Sequence, residues 1–166
     1  MTDASEGRVT LTTDSADATR RLAASLAAAA EPGDRIFLLG DLGAGKTQFA
    51  KGFAVGLGVG AVVNSPSFTL MAEYDGRLRL FHLDLFRLAG TADAFAGGLL
   101  DERQETGVSV IEWADRLEGP VGAADLDVRL DGAGDDLRTI TLAARSPSGE
   151  RYVRVARTLR SGGGPA

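Results

Sequence analysis

Eight consecutive residues, Gly40-Asp41-Leu42-Gly43-Ala44-Gly45-Lys46-Thr47, fit the spacing G-x-x-x-x-G-K-[ST]. A polyphosphate concentrates negative charge in a small volume and needs many donors around it. Glycines let a backbone turn tightly and aim successive N–H groups inward. A helix starting at Lys46 would add the positive end of its dipole. The Lys46 ammonium is within reach of outer phosphates, and the Thr47 hydroxyl suits a magnesium ion. Nucleotide contact is therefore expected from Gly43, Ala44, Gly45, Lys46, Thr47 and Gln48.

Phosphate chemistry with magnesium also calls for carboxylates at the carboxyl ends of strands beside such a loop. Asp84 ends an alternating run through Leu78, Leu80 and His82, and Glu112 ends the apolar run Val108 to Ile111. One acid would hold the metal and the other orient water, and spacing does not say which. Asn64-Ser65-Pro66-Ser67 stands where nucleotide switches place a hydroxyl-bearing loop, although an ordinary turn explains the same residues. His82, the single histidine, reads as a hydrogen-bonded packing residue. Trp113, the single tryptophan, follows Glu112 and reads as part of the site. Arg87 suits a phosphate or a solvated surface equally.

These residues need elements to position them. Arg8 to Thr12 alternates like a short edge strand, and Asp14 or Ser15 suits the N-cap of a helix through Leu22 and Leu26 that stops at Glu31-Pro32-Gly33. Arg35 to Leu39 reads as a strand buried on both faces, feeding the glycine loop. Phe49, Ala50, Phe53, Ala54 and Leu57 then recur at helical spacing up to Gly58. Phe68 to Tyr74 and Arg77 to Leu85 flank the hairpin signal Asp75-Gly76. Thr91 suits the cap of a helix containing Phe95, Leu99 and Leu100. Leu126 to Leu130 and Leu137 to Ala144 form a second hairpin, and Tyr152 to Leu159 fits either a strand or a short helix. The expected architecture is α/β: a phosphate-loop NTPase fold with a mainly parallel central sheet, antiparallel hairpin additions and helices on both faces. Residues 1–160 read as one domain and 161–166 as a flexible tail. The loop around Thr13 to Ser15 and the late hairpin are plausible walls for a base.

Composition narrows the function classes. The 166 residues are 44% hydrophobic and 25% charged, enough for a core, which argues against disorder. No apolar run reaches the roughly 18 residues of a spanning helix. With no cysteine, thiol nucleophiles and cysteine-ligated zinc are excluded. Met1 to Arg8 is polar and unlike a secretory signal, so the cytoplasm is the expected location. The net charge of -5 is the wrong sign for gripping nucleic acid by its phosphates. Of 18 basic residues only Lys46 and Lys51 are lysines. One of them sits where a compact ammonium suits the phosphate cradle.

Four blocks in order resemble a known family, the bacterial TsaE (YjeE) ATPases: Gly40 to Thr47, Ser65-Pro66-Ser67-Phe68-Thr69-Leu70, His82-Leu83-Asp84-Leu85-Phe86-Arg87-Leu88, and Val110-Ile111-Glu112-Trp113. The resemblance covers Thr12 to Leu117. It implies a magnesium-dependent ATP-binding protein and weak ATPase, driven by its partners, that supports the threonylcarbamoyl modification of adenosine 37 in tRNA. It implies TsaD-like and TsaB-like partners, with tRNA met through them. By the same resemblance Lys46 and Thr47 serve phosphate and magnesium, and Ser65 to Ser67 form a switch loop. Asp84 is then the second acidic motif, Glu112 a metal-linked acid, and Trp113 a member of the site. Two positions and one segment depart from the family pattern. Gln48 supplies no hydroxyl where a second threonine is common, Phe86 replaces a usual tyrosine, and Phe95 to Glu102 is poorer in acids than usual.

Other phosphate-loop readings fit less well. Guanine recognition normally uses N-K-x-D, and the single asparagine, Asn64, precedes Ser65. A small-molecule kinase would carry an arginine-bearing helical lid, and the region after Trp113 reads as a hairpin. An ATP-dependent adaptor without hydrolysis would share the same loop and differ only in turnover.

Overall fold

The computed structural model of the chain describes residues 7–41, 43–64, 66, 70–86, 102–113, 124–132 and 137–161. Seven strands, β1 (Arg8–Thr13), β2 (Arg35–Leu39), β3 (Met71–Tyr74), β4 (Leu80–Asp84), β5 (Val108–Glu112), β6 (Leu126–Asp131) and β7 (Arg138–Ala144), form one sheet in the order β1-β7-β6-β2-β5-β4-β3. Among the described residues three α-helices accompany them: α1 (Ala16–Leu26), α2 (Lys46–Gly56) and α3 (Pro147–Ser161). The sheet is mixed. β6, β2, β5 and β4 run parallel at its centre, β3 pairs antiparallel with β4, and β7 joins β6 and β1 antiparallel. Both expected hairpins are therefore present, with strands shorter than Phe68 to Tyr74 and Arg77 to Leu85.

Side-chain parity explains which face each strand presents. Ile36, Leu38, Val108, Val110, Leu126 and Val128 pack with Leu22 and Leu26 of α1, Phe49 and Phe53 of α2, and Tyr152 and Val153 of α3 in the larger core. Phe81, Leu83, Leu85 and Ile111 make a second cluster on the opposite face, with Phe37, Leu39 and Trp113 against it. The three α-helices thus pack on one face. The expected helix around Phe95 lies outside the described residues, as do Arg87 and residues 162–166. β2 is buried only at Ile36 and Leu38, with Phe37 and Leu39 half-buried. The strands buried along their whole length are β4 and β5.

Ser15 caps α1, its hydroxyl accepting from the Ala18 N–H at 3.0 Å. α2 packs on α1 in backbone contact because Gly52 faces the Arg20 carbonyl, where a Cβ would collide. The segment Tyr152 to Leu159 is helical, within α3, which also takes in Ser161 from the expected tail. The helical choice is decided by distant partners. The Tyr152 hydroxyl and the Arg151 guanidinium both donate to the buried carboxylate of Asp34, which also accepts from the Glu31 N–H at 3.0 Å. Asp125 accepts from the Arg35 N–H at 2.9 Å and from the Ser146 hydroxyl at 2.7 Å, closing that end of the sheet. Arg157 and Arg160 donate to the Arg8 and Thr10 carbonyls of the edge strand β1.

Burial, together with the hydrogen bond to Asp34, raises the Tyr152 pKa well above the ordinary tyrosine value. A folded-state pKa above the unfolded one means the folded chain holds its proton longer. That contribution to stability is complete below about pH 10 and is lost as pH rises beyond it. Tyr152→Phe should cost about 1 kcal/mol near neutral pH and flatten the alkaline fall in stability, as read by urea unfolding at neutral and alkaline pH.

Candidate functional site

The loop between β2 and α2 turns through Gly40, Gly43 and Gly45, all with positive φ, and Gly45 in the left-handed region caps α2. Gly40 is the tightest point, because a Cβ there would run into the Leu130 carbonyl oxygen on β6. Two cations hold the loop by its carbonyls. Lys46 Nζ donates to Gly40 and, at 3.1 Å, to Asp41. Arg138, at the start of β7, donates through Nε to Ala44 at 3.1 Å and through Nη2 to Gly43 at 3.3 Å. Spacing gave no signal for Arg138, whose place beside the loop comes from the β6-β7 hairpin lying next to β2.

Lys46 is only 5% exposed. Its ammonium lies 3.9 Å from the centroid of the Trp113 ring, a cation–π contact. Trp113 also packs on Phe86, ring centroids 4.9 Å apart. Its φ of 60° is rare for a bulky side chain, and such strain persists only where surroundings enforce it. Here the chain leaves β5 and immediately swings the indole toward the loop lysine.

The two acids end adjacent parallel strands, Asp84 opposite Glu112 in the β4-β5 register, and Glu112 opposite Leu38 on β2. Strand order separates their surroundings. Glu112, 3% exposed, accepts from the Thr47 hydroxyl at 3.0 Å on Oε1 and 3.3 Å on Oε2. Its Oε2 is also 2.6 Å from His82 Nε2. Asp84, one strand farther from the loop, accepts from the Phe86 N–H at 3.1 Å. His82 is hydrogen-bonded and buried as expected, and its partner is an acid of the site. The signal lay in parity: His82 and Asp84 are two apart on β4, and Glu112 is on the neighbouring strand facing the same helices.

Gln48 accepts from Arg20 of α1 and borders a cleft of about 120 Å³ lined by Ser15, Thr19, Gly43, Gly45 and Arg138. This is the space between the α1 cap and the late hairpin where a base was expected. A larger hollow, about 580 Å³, opens among Arg8, Thr10, Arg129, Thr141 and Arg145, and no residue expected to do chemistry borders it. Ser65 and Ser67 lie outside the described residues.

Residues 13–140 match the family model described as threonylcarbamoyl adenosine biosynthesis protein TsaE. The chain belongs to the TsaE family. Among relatives named tRNA threonylcarbamoyladenosine biosynthesis protein TsaE, that of Bacillus subtilis is 43% identical over 142 residues, covering 85% of this chain and 87% of the relative. The Haemophilus influenzae TsaE is 36% identical over 120 residues, covering 71% and 75%. The crystal structure of Bacillus subtilis YdiB superposes with a TM-score of 0.67 at 36% identity, covering 94% of this chain and 96% of that one. The TsaE match takes in the loop, His82, Asp84, Glu112 and Trp113 and leaves α3 outside it.

Gly40→Ala puts a Cβ against the Leu130 carbonyl in a backbone conformation that alanine avoids, and should lower stability by about 1–3 kcal/mol. Chemical unfolding of the two proteins measures this.

Proposed function

We propose that this TsaE family member binds ATP with magnesium in the loop of a phosphate-loop NTPase fold and hydrolyses it slowly. We further propose that it acts in threonylcarbamoyladenosine biosynthesis on tRNA in the cytoplasm. TsaD-like and TsaB-like proteins are the proposed partners. The observation that carries this reading is the convergence of a buried loop lysine, Lys46, with a Thr47 hydroxyl aimed at the strand-end acid Glu112.

The donor set fits magnesium. Among the described residues no three His, Asp or Glu side chains converge as a metal cage, and the site offers one hydroxyl beside one carboxylate. Magnesium retains several waters and takes further oxygens from phosphate, so it needs no all-protein cage. When bound, it would neutralise charge on the outer phosphates. Thr47 and Glu112 would hold it, Glu112 directly or through water.

The remaining work falls to residues of the chain. Lys46 exchanges the Gly40 and Asp41 carbonyls for phosphate oxygens, keeping its charge satisfied throughout. The loop N–H groups and the α2 terminus stabilise the oxygens that gain charge as water attacks the terminal phosphorus and the bond to the ADP oxygen breaks. Asp84, beside Glu112 at the strand ends, orients that water. Trp113 covers Lys46 and limits the entry of other water. The cleft beside Gln48 and Arg138 receives the base. A net charge of -5 suits a protein that meets tRNA through its partners.

Lys46→Ala should weaken ATP binding by about 2 kcal/mol, roughly thirtyfold in Kd. Unchanged binding and unchanged partner-stimulated hydrolysis would overturn the site assignment. Glu112→Ala should raise the magnesium requirement, whereas Asp84→Ala should keep ATP affinity and lose turnover. Deleting the protein should remove the modified adenosine from cellular tRNA, and an unchanged level would overturn the pathway role. Turnover in the presence of the partners separates an ATPase from a non-hydrolysing adaptor.

A further inference from the structure

We infer that His82 is a positioning residue that sets the orientation of the Glu112 carboxylate, and through it the strength of magnesium binding at this site. The inference rests on the proposed nucleotide and magnesium reading and adds a residue to it. A carboxylate joined to the chain by rotatable bonds points where its hydrogen-bond donors hold it. Glu112 has donors on two sides, the Thr47 hydroxyl at 3.0 Å from Oε1 and His82 Nε2 at 2.6 Å from Oε2. Thr47 belongs to the first turn of α2 and His82 to the middle of β4, so the pair clamps the carboxylate between a helix and a strand. An ionised carboxylate only accepts, which places the hydrogen of the imidazole on Nε2. About four lone-pair directions exist on a carboxylate, so two donors leave room for a metal or its water.

Packing alone does not account for histidine at this position. His82 is fully buried in a strand whose other residues up to Asp84 are Leu80, Phe81 and Leu83, and its Nδ1 is buried with no hydrogen-bond partner among the described residues. An unmet buried nitrogen is a cost that leucine would avoid. The compensating contact is the short bond to Glu112. Groups that orient a metal-holding side chain typically change metal affinity by about 10–100-fold when removed.

The test uses Trp113, the only tryptophan, as a fluorescent reporter next to Glu112, with ATP added first in a chelator and then with increasing magnesium chloride. His82→Leu removes the donor at similar size, and His82→Gln keeps an N–H donor at comparable reach. The leucine variant should bind ATP like the wild type in chelator yet need about tenfold more magnesium, with the glutamine variant restored to within about threefold. A folded leucine variant with an unchanged magnesium midpoint overturns the proposal, as does glutamine failing as badly as leucine. If the leucine variant does not fold, the nitrogen NMR spectrum of the single imidazole in the untagged wild-type protein decides. A hydrogen on Nε2 with bare Nδ1 supports the clamp, and the reverse tautomer overturns it. A wild-type protein whose fluorescence responds to ATP neither in chelator nor with magnesium would overturn the nucleotide reading, and with it this role for His82; a response to ATP that magnesium leaves unchanged would overturn the role of His82 alone. The two failures are distinguishable before any substitution is made.

Discussion

A carboxylate buried as deeply as Glu112 must have its charge met by donors, because desolvating an unpaired charge costs several kcal/mol. The donors it uses come from elements far apart in the chain. Thr47 stands at the start of α2, and His82 lies on β4. Both reach it because β5 sits between β2 and β4, all three parallel, so that their carboxyl ends gather at one end of the sheet. Moving β5 out of that place would leave Glu112 without either partner. The strand order of the sheet centre is thus the condition on which the candidate site depends.

The two ends of the sheet divide the labour. At one end Asp34 and Asp125 gather hydrogen bonds from Tyr152, Arg151, Arg35 and Ser146, tying α3 to the beginnings of β2 and β6. At the other end the polar groups surround the glycine loop. There Lys46 and Arg138 hold four carbonyls, and the indole of Trp113 lies over the lysine at the expense of a strained backbone. Between them Leu22, Phe49, Phe53 and the inward residues of the sheet form an apolar layer that makes both ends rigid with respect to each other.

Some of this was legible in the residues, for identifiable reasons. The loop was, because glycines at Gly40 and Gly45 answer to local backbone conformation and a lysine followed by threonine answers to the helix that begins there. The acids were, as the polar ends of apolar strands. The hairpins followed from turn residues between alternating runs. The state of Tyr152 to Leu159 was not legible, since helix and strand fit its short pattern equally until Tyr152 meets Asp34, more than a hundred residues earlier. Nor was Arg138 beside the loop, because nothing near it in the chain refers to Gly43 or Ala44.

By itself, then, the sequence determined what is local: a glycine-rich loop on a strand-to-helix turn, two acids at strand ends, a lone histidine on a strand, and four ordered blocks that resemble the TsaE family. The tertiary structure alone decided which acid meets Thr47, that the lone histidine meets the same acid, and which arginine braces the loop. Those choices follow from strand order and register. Both are set by pairings between residues tens of positions apart, where the energy of burying one face of a strand outweighs any local preference.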